Sequence, residues 1–188
     1  MGTMDTLSHK AQRAAFSVAL DAALKHIEKD TSKGLLDVLD LSQKFMGDTF
    51  KPETFEAIRA YIANPENKWM QYVDRHLHRL NHNVIKTTAL NLGFEAAFRG
   101  TKTIRKMREI HHCNIPWLIL MDPTAACNLH CTGCWAAEYG HKLNLSFEDM
   151  DRIITQGKEL GIYFYMFTGG EPLVRKKDII RLCEKHND

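Results

Sequence analysis

The chain reads as an α/β protein in which an amino-terminal helical region, residues 1–113, precedes a strand–helix–strand unit that begins at residue 114 and runs to residue 188. Three observations predict this. Apolar residues recur at helical spacing, with short breaks, to about position 112. After Pro116 the pattern changes to continuous apolar runs of strand length, "WLILM" and "IYFYMF". Between those runs lies one amphipathic segment with clear start and stop signals.

Taken in order, the first predicted helix is the Ala-rich "HKAQRAAFSVALDAALKHIEKD", with Ala11, Ala15, Val18, Ala22 and Ile27 as its expected apolar stripe. A second helix is expected over 35–46, ending at Gly47. Pro52 opens a third in "PETFEAIRAYIA", where proline in the first turn is followed by acidic residues. Two longer helices are expected over 66–99 and 101–112, separated by Gly100. "WLILM" then predicts a parallel strand buried on both faces. In "SFEDMDRIITQGKELG", Ser146 and Asp149 resemble a capping box, Phe147, Met150 and Ile154 make the apolar stripe, and Gly161 supplies the stop. "IYFYMF" is the second strand, and a crossover through one helix makes the strands parallel.

Composition narrows the function classes. Lys and Arg number 25 against 23 Asp and Glu, a net charge of +2, too balanced for nucleic acid to be the main partner. No apolar run approaches the roughly 20 residues of a membrane helix. Five cysteines, three of them crowded together, argue against a disulfide framework and for a reducing compartment, the cytoplasm. "MGTMDT" matches an acylation pattern through Gly2 and Thr6, but no polybasic stretch follows and a cloning remnant explains "MGT" equally well.

The chemistry gathers in two loops. In parallel α/β folds the loops leaving the carboxyl ends of strands share one face, where ligands bind. "CNLHCTGCW", from Cys127 to Trp135, follows the first strand, and "TGGEPLV", from Thr168 to Val174, follows the second. A Cys-x-x-Cys redox pair would use Cys131 and Cys134 and leave Cys127 unexplained. A zinc site would take the three thiolates with His130 or His141, although structural zinc ligands usually come as pairs from separate segments. A four-iron cluster held by three thiolates accounts for more of the pattern, since it keeps one iron open to a small molecule. Cys113 and Cys183 stand outside the motif as incidental residues.

Cys127-x-x-x-Cys131-x-x-Cys134 followed by Gly169-Gly170-Glu171-Pro172 resembles the opening of the radical S-adenosylmethionine (SAM) superfamily. The wording from about Asn114 onward is similar to a bacterial subgroup, with hopanoid adenosyltransferases as more distant relatives. The resemblance implies that residues 114–188 begin a partial (βα)6 barrel, that the chain is the amino-terminal, truncated portion of a longer enzyme, and that residues 1–188 alone do not turn over SAM. It implies that Cys127, Cys131 and Cys134 ligate a [4Fe–4S] cluster and that Thr168, Gly169, Gly170 and Glu171 help hold SAM. Reductive cleavage of SAM would then give methionine and a 5′-deoxyadenosyl radical. It also implies an electron donor such as flavodoxin or ferredoxin, a substrate that the motifs do not name, and no catalytic side chain beyond the cluster ligands. Many family members carry an aromatic residue before the third cysteine, whereas this chain has Gly133 there and Trp135 after it. An iron–sulfur electron carrier and an inactive fragment are the rival readings.

In the helical region, His78 and His82 have the i, i+4 spacing of metal ligands but no companion carboxylate pattern, and with His76 are expected to be solvated. Arg99, Lys102, Arg105, Lys106 and Arg108 form a basic helix face, ordinarily a solvated surface.

Overall fold

The computed structural model describes residues 3–47, 49–134 and 143–187. It divides into two compact units, Met1–Phe98 and Arg99–Asp188, so the division in packing falls one helix before the change in sequence pattern at 113/114. No described helix is long and apolar enough to cross a membrane.

The first unit is helical: α1 (Thr3–Ile27), α2 (Thr31–Met46), α3 (Pro52–Ala63), α4 (Lys68–Leu77), α5 (His82–Thr88) and a π-helical segment, Ala89–Gly100, which ends just beyond the unit. Local side chains set the starts. Asp30 accepts from the Lys33 amide at 3.0 Å, and Asn67 and Asn81 accept from the amides of Trp69 and Asn83 at 2.9 and 2.8 Å. The last cap corrects the expectation of one helix over 66–99, because the chain turns between Leu77 and His82 and Asn81 begins a new helix. Gly100 does not separate helices either; its φ of −58° is helical. Nor does α1 bury its small-residue stripe. Ala11, Ala15, Val18 and Ala22 are exposed, while Phe16, Leu20 and Leu24 join Ile27 in the core with Phe55 and Phe94. Large side chains remove more apolar area from water than alanine and so decide which face turns inward. Glu95 is buried in the π-helical segment, paired with His9 at 2.9 Å and with Arg13 at 3.4 Å. Gly2 lies outside the described residues.

The second unit contains α6 (Thr101–His111), β1 (Leu118–Thr124), α7 (Phe147–Glu159), β2 (Phe164–Gly169), a 3-10 turn (Pro172–Arg175) and α8 (Lys176–Lys185). The strands are parallel, with Leu118 opposite Phe164 and Met121 opposite Phe167, and the ladder is interrupted before Thr124 meets Gly169. The α/β expectation therefore holds, with a mostly helical chain and a two-stranded parallel sheet. Ser146 caps α7: the Asp149 amide donates to Ser146 Oγ at 3.0 Å, and the Ser146 hydroxyl, not its main-chain amide as in a full capping box, is the group bonded to the Asp149 carboxylate, at 2.6 Å.

Burial of the sheet is one-sided. Ile119, Met121, Tyr165 and Phe167 pack with Met150 and Ile154 of α7 and Leu182 of α8. On the alternate positions Leu120 is 52% and Met166 43% exposed, which corrects the expectation of strands buried on both faces. The described helices packed on the sheet, α6, α7 and α8, cover a single face.

Two polar arrangements hold this layer. Tyr165 hydroxyl lies 3.1 Å from the Ile154 carbonyl and 2.8 Å from that of Ile162, tying the strand to α7, and burial pushes its pKa well above the ordinary value. We expect Tyr165→Phe to lower stability by about 1–2 kcal/mol in urea denaturation, since it strips a donor from two inward carbonyls. Asp151 of α7 accepts from Lys185 at 2.7 Å and His186 at 2.8 Å, and these bonds, that of Lys185 foremost, hold its carboxyl below the ordinary 3.8. Such a group stabilises the fold at pH above its unfolded pKa and ceases to do so as pH falls through the lower folded one. Asp151→Asn should therefore cost about 0.5–1 kcal/mol at pH 7. In pH-dependent unfolding, the gap from wild type should close only below pH 3.8.

Candidate functional site

Because β1 and β2 are parallel, the cysteine loop and the glycine turn leave the same end of the sheet. Main-chain hydrogen bonds then join them. The Gly170 amide donates to the Thr124 carbonyl at 3.0 Å and the Glu171 amide to the Ala126 carbonyl at 2.8 Å. This approach requires glycine: a Cβ built on Gly170 would overlap the Ala126 carbonyl oxygen and lie 2.8 Å from the Ala125 carbonyl carbon. The immediate neighbour that Gly170 admits is thus the backbone of the cysteine loop.

The loop is closed at its base. The Ala125 amide donates to the Leu143 carbonyl at 2.8 Å, the Leu145 amide to the Pro123 carbonyl at 3.1 Å, and Thr124 bridges Asn144 antiparallel. Buried Thr124 also accepts the Ala126 amide on its hydroxyl at 3.0 Å. Arg175, from the 3-10 turn, donates to the carbonyls of Pro123 at 3.3 Å and Leu145 at 2.8 Å while Asp178 accepts its Nε at 2.7 Å. One guanidinium thereby bonds both strands of the loop base.

The thiols lie beyond this base. Cys127 and Cys134 are half-buried, Cys131 is exposed, and all are free of disulfides. The Leu129 amide points at Cys127 Sγ at 3.4 Å, and the Cys134 amide donates to the Cys131 carbonyl at 3.2 Å across a turn in which Gly133 has φ 75°. Among the described residues no three His, Cys, Asp or Glu side chains lie close enough to hold a metal ion, so the loop presents separate thiols. The donor chemistry nevertheless fits an iron–sulfur cluster: three free, soft sulfur ligands on one loop, beside a glycine turn hydrogen-bonded to that loop. His130 is exposed; Trp135 and His141 lie outside the described residues.

On the turn, one Glu171 oxygen accepts the Leu173 amide at 2.9 Å and so caps the 3-10 turn. Two residues at the site carry no local motif. Arg175 is one. Asp122, at the carboxyl end of β1, is the other, and its signal was a lone charge closing an apolar strand run. Its Oδ1 is buried without a hydrogen-bond partner among the described residues.

The other sequence candidates lie elsewhere. Cys113 and Cys183 are exposed and outside the loop. His78 lines a cavity of about 200 Å³ with His82 and Glu28, but its Nδ1 is 2.9 Å from the Asp74 carbonyl, a bond that raises its pKa above 6.5. On the basic helix face, Arg99 lies over the Tyr163 ring and Arg108 donates to the Ile115 carbonyl.

The radical SAM superfamily profile matches residues 121–188. The chain is similar to a GTP 3′,8-cyclase from Desulforamulus reducens, 41% identical over 83 residues, which cover 42% of this chain and 25% of that protein. It is similar to the protein of that name from Geobacter sulfurreducens, 47% identical over 60 residues, 30% of this chain and 18% of the relative. A third, from Syntrophomonas wolfei, is 40% identical over 75 residues, 37% of this chain and 22% of the relative. The chain thus spans a quarter or less of the length of these curated relatives. No solved structure matches it.

We expect Gly170→Ala to destabilise the metal-free chain by about 1–3 kcal/mol, measured by urea denaturation, because the new methyl group must push back main chain rather than a side-chain end. Unchanged stability would show that the cysteine loop can move away from the turn at no cost.

Proposed function

We propose, from the match of residues 121–188 to the radical SAM profile, that the protein belongs to an enzyme that holds a [4Fe–4S] cluster on Cys127, Cys131 and Cys134 and binds SAM against the turn of residues 168–171. The observation that carries the reading is the bonding of the glycine turn to the cysteine loop at Thr124 and Ala126. A plain iron–sulfur carrier has no need of that turn.

When bound, the cluster supplies the electron that cleaves SAM reductively into methionine and a 5′-deoxyadenosyl radical. The chain's own residues do the rest. Three thiolates leave one iron without a protein ligand, the condition for a small molecule to chelate there. The turn from Thr168 to Gly170 offers main-chain groups, and Glu171 a carboxylate, to the amino-acid end of SAM. Arg175 and the Thr124–Asn144 bridge tie the loop base, from which Cys127, Cys131 and Cys134 would hold the cluster. A cytoplasmic one-electron donor of the flavodoxin or ferredoxin class belongs to this reading. The relatives' GTP is not carried over to this chain, which spans a quarter or less of their length.

Anaerobic reconstitution of the full chain with iron and sulfide should give a brown protein with about four irons per chain. Cys127→Ala, Cys131→Ala or Cys134→Ala should each abolish it, and Cys113→Ala and Cys183→Ala should not. The electron paramagnetic resonance spectrum of the reduced protein should change when SAM is added. Equal iron loss from Cys183→Ala would sink the ligand assignment, and a spectrum indifferent to SAM would favour the electron carrier.

A further inference from the structure

Asp122 follows the last regular pair of the sheet, Met121 with Phe167, and falls in the irregularity before Thr124 pairs with Gly169. Met121 faces the α7 layer, so strand alternation sets Asp122 on the opposite face with exposed Leu120. Its side chain lies against the glycine turn: a Cβ on Gly169, whose φ is 103°, would come within 2.8 Å of Asp122 Cβ and 3.0 Å of Cγ. The carboxyl group occupies space that any other residue at 169 would contest.

Oδ1 of this carboxyl is buried and has no hydrogen-bond partner among the described residues. A buried acceptor without a donor costs stability, and more so when it carries charge. Glu171, by contrast, spends one oxygen on the Leu173 amide. Asp122 does no such structural work at Oδ1, which is left open to a donor from outside the described residues.

The chemistry of SAM selects among its groups. The sulfonium carries charge but no hydrogen to donate, and the ribose hydroxyls donate without charge. The α-ammonium does both. We infer that Asp122 is a binding residue for the α-ammonium of SAM, acting beside the glycine turn. This rests on the reading of the site as a SAM site.

The test uses the full chain, reconstituted anaerobically, with equilibrium dialysis against SAM, S-adenosylhomocysteine and 5′-methylthioadenosine, the last having the adenosyl group without the amino acid. Asp122→Asn should raise the Kd of SAM and of S-adenosylhomocysteine by about tenfold or more, as loss of a charge-assisted bond does. Binding of 5′-methylthioadenosine and the iron content should not change. In the metal-free chain the same variant should leave the thermal midpoint unlowered, because Oδ1 makes no hydrogen bond within the described residues. A lowered midpoint or lost iron would overturn the inference by making Asp122 a structural residue. Unaltered SAM affinity, or equal weakening of 5′-methylthioadenosine, would overturn it too. Wild-type protein that takes up iron but binds no SAM would sink the site reading and this inference together, whereas SAM binding indifferent to Asp122→Asn would sink the inference alone.

Discussion

Everything at the candidate site depends on how closely the turn after β2 approaches the loop after β1. Two amides of the turn, those of Gly170 and Glu171, donate to two carbonyls of the loop, those of Thr124 and Ala126. The approach leaves no room for a Cβ on Gly170. A glycine usually explained by access for a ligand is here needed first for access by the protein's own backbone. The same contact sets where the first cysteine begins, one residue after Ala126.

Next to that contact, several further bonds close the base of the loop. Its base has the Thr124–Asn144 bridge, two flanking amide bonds and the Arg175 guanidinium across both strands. Among the described residues, its thiol-bearing segment has the turn from Cys131 to Cys134 and the Leu129 amide on Cys127.

The one-sided sheet completes the arrangement. α6, α7 and α8 shield the face of Ile119, Met121, Tyr165 and Phe167, and leave Leu120 and Met166 toward solvent. Asp122 extends that open face to the carboxyl end of β1, where its carboxyl meets the glycine turn. The helical unit is built on a different principle, with its own core around Phe16, Leu20 and Phe94 and the Glu95 carboxylate paired to His9 and Arg13.

Read alone, the sequence determined the features whose causes are local: the helix starts at Pro52 and Ser146, the stop at Gly161, the strand character of the two apolar runs, and the spacing of Cys127, Cys131 and Cys134. Parallel pairing was also legible, because a crossover through α7 allows no other simple path. Tertiary structure decided the rest. Which face of α1 is buried depended on how much area Phe16 and Leu20 could remove from water once partners existed, which alanine periodicity does not encode. The turn that splits 66–99 rested on the Asn81 cap winning over a helical pattern that continued through it. Arg175 reaches a carbonyl 52 positions earlier, His9 a carboxylate 86 positions later, and Asp122 a glycine turn on the next strand. Periodicity and capping act over one or two turns of chain, whereas such polar contacts come into being only when the backbone has brought distant segments together, and that is why they had to be seen in three dimensions.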